Sequence, residues 1–371
     1  MTAATPLPVD AERVLDRLGA LRALDAPTHG GHVLSYVYDS GQAALDALAA
    51  RAMALVQPLN GLDPTTFPSV AVMERELVAF ARDMLHGDAD TVGNVTSGGT
   101  ESCLLAVKAA RDAWRARGGT GTPRLLAPVT VHAAFRKACA LFDLVPDLVP
   151  IDAASGRLDP ARLAARLGPD VALAVVSAPA YPNGMLDPIA AVAAACAAAG
   201  VACHVDACFG GWILPWWHAA AGTALPAWDF RVAGVSSISA DAHKFGYAPK
   251  GASVLLYRDR ELHRRQYFAT TGWPGYPVVN PTLLGSKSAA PLAAAWAITQ
   301  WLGQDGYARL AAQCQAAART LAATLAGIEG LRLYGSPAGP ALAVVADPDL
   351  DPARRVDPHH WADAARRRGW L

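Results

Sequence analysis

Net charge is the first thing this sequence lacks: Lys plus Arg number 32 and Asp plus Glu 32 among 371 residues. A balanced chain offers no basic excess for nucleic-acid phosphates and no charged run for a tail or a membrane surface. No uninterrupted apolar run approaches the ~18 residues of a membrane-spanning helix, and the start, Met1–Leu24, has no basic stretch followed by an apolar one, so no secretory leader is expected. The six cysteines, Cys103, Cys139, Cys196, Cys203, Cys208 and Cys314, are scattered and form no CxxC pair, which is read as a reduced, cytoplasmic setting. No Walker loop or GxGxxG pattern occurs, which weighs against a nucleotide-binding domain. Lysine itself is scarce: only Lys108, Lys137, Lys244, Lys250 and Lys287. Arginine replaces lysine on a solvated surface, but not where a neutral amine must attack a carbonyl.

What is present is apolar material, 53% of residues against 17% charged, much of it alanine. At roughly 100–200 residues per domain, two domains fit the length. The centre alternates strand-like runs with helical patterns. Strands are expected at Arg124–Val131, Val171–Ala178, Val201–Ala207, Val235–Ser239 and Ala252–Tyr257. Helices are expected at Thr100–Ala116, Ala133–Phe142, Pro160–Leu167 and Asp187–Ala199. Near-continuous apolar strands between helices predict a mostly parallel sheet covered on both faces. The apolar stretch Ile189–Gly200 is too short to span a membrane and reads as a buried helix. The expected division is an N-terminal helical segment over 1–57, a large α/β domain over 58–288 and a small α+β domain over 289–371. The last begins with a long alanine-rich helix to about Leu325 and continues through strand-like pieces at Leu331–Tyr334 and Ala341–Val345 to a helix at His359–Arg368.

Four features carry chemistry. Lys244 follows the strand Val235–Ser239 in a turn, before the Gly/Pro-containing loop Phe245–Gly251. Ligands of open α/β sheets sit beyond the carboxyl ends of strands, and a lysine there can form a Schiff base with an aldehyde cofactor; a solvated loop lysine is the plain alternative. Asp206 lies inside an otherwise apolar strand, where a carboxylate needs a partner, and a protonated ring nitrogen is one. Zinc at Cys203, His204, Asp206 and Cys208 is set aside, because strand alternation sends Cys203 to the opposite face. Thr96–Ser102 (Thr-Ser-Gly-Gly-Thr-Glu-Ser) opens a helix; its glycines let the backbone approach an anion held by the free N–H groups, although such clusters also simply cap helices. His132, between a strand and a helix, is either a ring for stacking on a planar cofactor or a structural hydrogen-bonder. Together, an anion cradle, a flat ring, a buried carboxylate and a Schiff-base lysine are what pyridoxal 5'-phosphate requires.

Thr96–Ser102, His204–Gly211 and Ser237–Gly251 resemble the pyridoxal-phosphate-dependent group II decarboxylase and sphingosine-phosphate lyase family, from about Gly31 onward. The resemblance implies the aspartate-aminotransferase-type fold (fold type I) and a homodimer with active sites at the subunit interface. It implies that Lys244 carries the cofactor and Asp206 pairs with its ring nitrogen. By the same likeness His132 stacks on the ring, Gly99, Thr100 and His243 hold the phosphate, and Ser286 reaches the partner's phosphate. Lys250 and Tyr247 would lie near a small amino acid or amine substrate. Two departures stand out. Asn60-Gly61-Leu62-Asp63 replaces the family's Asn-Pro-Leu-His, placing a carboxylate where an active-site histidine is usual. The chain also stops at Leu371, where the small domain of the family continues, so the sequence reads as truncated. With no membrane anchor evident, the expected order of activities is amino-acid decarboxylase, then aldehyde-lyase, then aminotransferase, with a cofactor-binding protein without turnover as the outsider.

Overall fold

The computed structural model describes residues 10–218 and 224–371, so the first nine residues of the expected N-terminal helical segment lie outside it. Within that segment the structure has α1 (Ala11–Arg22) and α2 (Ala43–Leu55), joined by irregular chain, then α3 (Pro68–Met84). The central run is β1 (Val92–Thr96), α4 (Gly99–Ala116), β2 (Arg124–Pro128), α5 (Ala133–Phe142), β3 (Val145–Val149), α6 (Pro160–Ala164), β4 (Val171–Ser177), α7 (Ile189–Ala199), β5 (Ala202–Asp206), β6 (Ser237–Ala240) and β7 (Ser253–Tyr257). There follow α8 (Arg260–Arg264), β8 (Phe268–Thr270), β9 (Val278–Asn280), α9 (Ala290–Ala326), β10 (Leu331–Leu333), β11 (Val344–Ala346) and α10 (Pro358–Arg366).

Seven strands form one sheet in the order β1-β7-β6-β5-β4-β2-β3, with β7 antiparallel to both its neighbours and the remaining pairs parallel. This is the fold type I arrangement expected. Alternate residues of each strand feed two layers. Ala174 and Val176 of β4, with Cys203 and Val205 of β5, join the core formed with α2, α3, α7 and α9. Leu173 and Val175 face the opposite way, into the core formed with α4 and α5. Each such buried Val or Leu contributes about 1.5–3 kcal/mol relative to exposure, so the sheet is a rigid platform for its strand ends.

Two expectations need correction. The Ile189–Gly200 helix is buried along one face only, by Ile189, Val192, Ala193 and Cys196. Its outward residues are alanines, whose helix propensity and small area suit an exposed face as well as a buried one. The long C-terminal helix is broken at Gly303, whose backbone (φ 55°, ψ −173°) lies outside the helical region and is accessible to glycine. The terminal Gly369–Leu371 stretch makes contacts of its own: Leu371 N–H donates to His32 O at 2.8 Å, and Trp370 stacks on His32.

Candidate active site

Each reactive group rises from a strand end or helix start on the α4/α5 side of the sheet. β6 ends at Ala240, and the chain turns through Asp241–Lys244 before re-entering as β7. The turn is closed by Lys244 N–H donating to Asp241 O (3.1 Å) and by His243 N–H donating to Ala252 O (3.1 Å). Lys244 Nζ lies 3.0 Å from Asp241 Oδ2. Burial works against its charge, but the facing Asp241, with Asp206 adding to it, outweighs burial and holds the pKa above the ordinary lysine range. Asp206 closes β5; its Oδ1 accepts from Cys208 N–H at 3.1 Å, its one hydrogen bond among the described residues. Behind it on the same face, His204 is fully buried between Ser237 Oγ (2.8 Å) and Ser239 Oγ (3.1 Å). Cys203 points the other way and pairs with Cys196 of α7, as strand alternation requires.

The anion-binding candidate is held as tightly. Gly98 has φ 151°, a backbone that L side chains rarely adopt, and a Cβ on Gly99 would stand 2.6 Å from Asp241 Oδ2 and 2.9 Å from Cys208 Sγ. Glu101, buried, receives Ser97 N–H (2.6 Å) and Leu283 N–H (2.7 Å). Ser102 Oγ links Thr96 (2.7 Å) to Ser253 of β7 (2.9 Å). His243 stands against this loop, its Cε1 3.1 Å from where a Gly98 Cβ would be. Burial, the largest influence, pushes its pKa down, so the ring is neutral near pH 7.

Lys244, Asp206, His243 and the Gly98–Gly99 turn are thus brought together. Thr100 is exposed in the first turn of α4. His132 caps α5, its Nδ1 accepting Ala134 N–H at 3.2 Å, and leaves its ring exposed; the structural hydrogen bond does not consume the ring face. Lys250 Nζ donates to His243 O at 2.9 Å. Ser286 lies apart, exposed, its Oγ accepting from Asn60 Nδ2 (2.9 Å). Tyr247 has a left-handed backbone (φ 59°), donates its N–H to Lys244 O at 2.9 Å and meets the Phe245 ring edge-on, with centroids 6.5 Å apart. Asp63 accepts the N–H and hydroxyl of Thr65 and Thr66, all within its own turn.

Sequence reasoning passed over Tyr38 and Asp241. Tyr38 arrives from the irregular chain after α1, with Lys250 Nζ 4.5 Å above its ring. Its hydroxyl is pushed up to about 12, first by burial, although Lys244 pulls the other way. Tyr38, Tyr181 and Phe245 surround Phe209 edge-on, with centroids 5.3–6.5 Å apart. The only prior signal was the density of aromatics in Ser35–Asp39 and in the Phe209 and Phe245 loops.

These residues fit pyridoxal phosphate. His243 Nδ1 and Asp241 Oδ1 are buried with no partner among the described residues, Gly99 leaves no room for a side chain in the anion cradle, and the side chain of Asp206 has only the Cys208 N–H as a hydrogen-bond partner among the described residues.

The profile of the pyridoxal-dependent decarboxylase conserved domain matches residues 28–333. The chain is 35% identical over 336 residues to a sphingosine-1-phosphate lyase of Dictyostelium discoideum, covering 91% of this chain and 63% of that protein. It is 38% identical to one of Drosophila melanogaster, over 77% of this chain and 52% of that protein. The chain therefore spans less than two thirds of the length of these relatives. Among solved structures, a sphingosine-1-phosphate lyase of Burkholderia pseudomallei superposes over 100% of this chain and 84% of its own, with TM-score 0.90 and 36% identity. A glutamate decarboxylase of Lactobacillus brevis shares the fold, with TM-score 0.83 at 23% identity over 100% of this chain and 85% of its own.

Proposed function

The chain belongs to the pyridoxal-dependent decarboxylase family, and from that premise we propose that it is a pyridoxal-phosphate-dependent carbon–carbon lyase of the aldehyde-lyase type, acting on a phosphorylated 2-amino-3-hydroxyalkane. The relatives favour this over the amino-acid decarboxylase ranked first from the family resemblance and its departures. The observation that carries it is Tyr38, a phenol within an aromatic enclosure that has Lys250 Nζ 4.5 Å over its ring and feels the charge of Lys244. Cleaving the bond between an amine carbon and a hydroxyl-bearing carbon requires the hydroxyl to give up its proton; loss of carbon dioxide does not.

When bound, pyridoxal phosphate supplies an electron-withdrawing ring that accepts the electron pair of the broken bond. Lys244 is the residue to hold it, Asp206 to keep a proton on its ring nitrogen, and His132 to lie against its ring. Gly99, Thr100 and His243 hold its phosphate. Tyr38 enters as a phenol, holding the substrate hydroxyl and passing a proton between it and the Lys244 amine. Phe209, Phe245 and Tyr181 exclude water and accept an alkyl chain. Lys250 adds a cation for an anionic group, and this is the one feature that equally suits an amino acid carboxylate.

The test is product identity. The holoenzyme is given a 2-amino-3-hydroxyalkyl phosphate and, separately, a panel of amino acids. Aldehyde and aminoalkyl phosphate are expected from the first and no carbon dioxide from the second. Tyr38→Phe should slow aldehyde release by roughly 10²–10⁴ with its visible cofactor band intact, while Lys244→Ala should lose the borohydride-sensitive band altogether. Carbon dioxide from an amino acid, without aldehyde, would overturn the assignment in favour of the decarboxylase.

A further inference from the structure

Cys103 and Cys208 take no part in the chemistry above, yet they flank its central carboxylate. Cys103 lies on α4, Asp206 ends β5, and Cys208 follows two residues later. The two sulfurs and a carboxylate oxygen of Asp206 all lie within 4.8 Å of one another, and all three residues are buried. We propose that, when the cofactor is absent, Cys103, Asp206 and Cys208 form a binding site for a thiophilic divalent cation such as Zn²⁺ or Cd²⁺.

Tetrahedral zinc, with Zn–S about 2.3 Å and Zn–O about 2.0–2.2 Å, separates its ligand atoms by roughly 3.5–3.8 Å. The three donors reach that spacing with side-chain shifts of about an ångström. Two sulfurs and one carboxylate select a soft or borderline metal and reject Mg²⁺ and Ca²⁺, which take oxygen. Charge points the same way. Asp206 and Asp241 are both buried, and the nearby ammonium, Lys244, is already 3.0 Å from Asp241. Asp206 is left with a single backbone donor. A buried carboxylate without a direct ion pair is costly, and a cation bound to it supplies one. Asp241 Oδ1, buried and unpaired, lies 2.8 Å from the same point beside Gly99 that is 2.9 Å from Cys208 Sγ. The other thiol pair, Cys196 with Cys203, packs in the opposite layer of the sheet and belongs to no such three-ligand group among the described residues. It serves as the internal control.

Cys103 is 1% exposed and Asp206 and Cys208 7% each, so what access there is lies on the side of Asp206 and Cys208. That is where the ring nitrogen of the cofactor belongs if the proposed function holds, and on that reading cation and cofactor exclude each other. Binding displaces one proton from each thiol, giving two thiolates and a carboxylate around the metal.

The experiment uses the full chain, loaded with pyridoxal phosphate and freed of it, titrated with Cd²⁺ and followed by thiolate-to-cadmium absorption and equilibrium dialysis. The cofactor-free chain should take up one Cd²⁺ with a thiolate band. Cys103→Ala and Cys103→Ser should weaken uptake by at least the roughly 10–100-fold that losing even an outer-shell partner costs, while retaining the cofactor's visible band on reloading, which shows that they fold. Cys196→Ala should bind like the parent. The loaded chain should show no band until the cofactor is removed. Absence of a band in the cofactor-free chain, or a band that survives in Cys103→Ala, overturns the site. A Cys103-dependent band that bound cofactor leaves unchanged supports the site while overturning the assignment of Asp206 to the ring nitrogen.

Discussion

Lys244 must be neutral to attack an aldehyde, yet Asp241 keeps it charged. The ion pair at 3.0 Å raises its pKa above the ordinary lysine range even though burial alone would lower it. Capture of the cofactor therefore competes with the pair, and only the small neutral fraction reacts. Asp241→Asn removes the opposing charge and leaves burial to act, so the pKa falls. Formation of the borohydride-sensitive visible band should then accelerate at neutral pH, and its pH profile should move at least about one unit toward acid. A profile that stays in place would show that Asp241 does not set the lysine's protonation. This control was hidden in the sequence, because an aspartate three residues before a lysine reads as an ordinary surface ion pair. Asp206 was legible for the opposite reason: a carboxylate amid Val and Ala in a strand has no ordinary explanation. Tyr38 was invisible because it reaches the pocket through tertiary folding from a segment with no periodicity.

At the level of elements, the strands foreseen in the large sheet were those buried on both faces, β2, β4, β5, β6 and β7, whose apolar runs announce them. The two missed, β1 and β3, are the sheet's edges. β1 carries Gly93 and Asn94, and β3 carries Pro146 and Asp147, residues that central strands avoid and edges tolerate. The antiparallel sense of β7 was not legible either, since direction is set by pairing rather than by composition. Helix α1 is amphipathic but buries nothing: Val14, Leu15, Leu18 and Leu21 are each more than half exposed. Exposed apolar stripes of this kind mark association surfaces. The homodimer expected from the family resemblance supplies an occupant, and we propose that a second copy covers α1. Leu15→Asp with Leu18→Asp should shift the chain from dimer to monomer by sedimentation velocity at micromolar concentration, with unchanged far-ultraviolet circular dichroism. A parent chain that sediments as a monomer would sink the proposal.

Across the whole molecule, two buried groups behind the sheet's active end pull stability in opposite directions with pH. Burial lowers the pKa of His204 from 6.5 to about 4. Its contribution is present above pH 6.5 and is lost as the pH falls toward 4, because the unfolded chain takes up the proton first. Burial, aided by Asp206 and opposed by the Ser177 N–H, raises the pKa of Asp187 from 3.8 to about 7. Its contribution is present below pH 3.8 and is lost as the pH rises toward 7, because the unfolded chain ionises first. Between pH 4 and 6.5 the two trends oppose, so the parent's stability should be flat there apart from the exposed carboxylates. Asp187→Asn keeps an oxygen to accept Ser177 N–H, at 2.8 Å in the parent, and removes the ionisation. Exposed carboxylates titrate alike in both chains and cancel in the difference. The difference in urea unfolding free energy, variant minus parent, should therefore climb from pH 4 to pH 7 by on the order of 2–4 kcal/mol, in favour of the variant. A difference constant across that range would mean that Asp187 ionises normally and that the sheet's interior tolerates its charge.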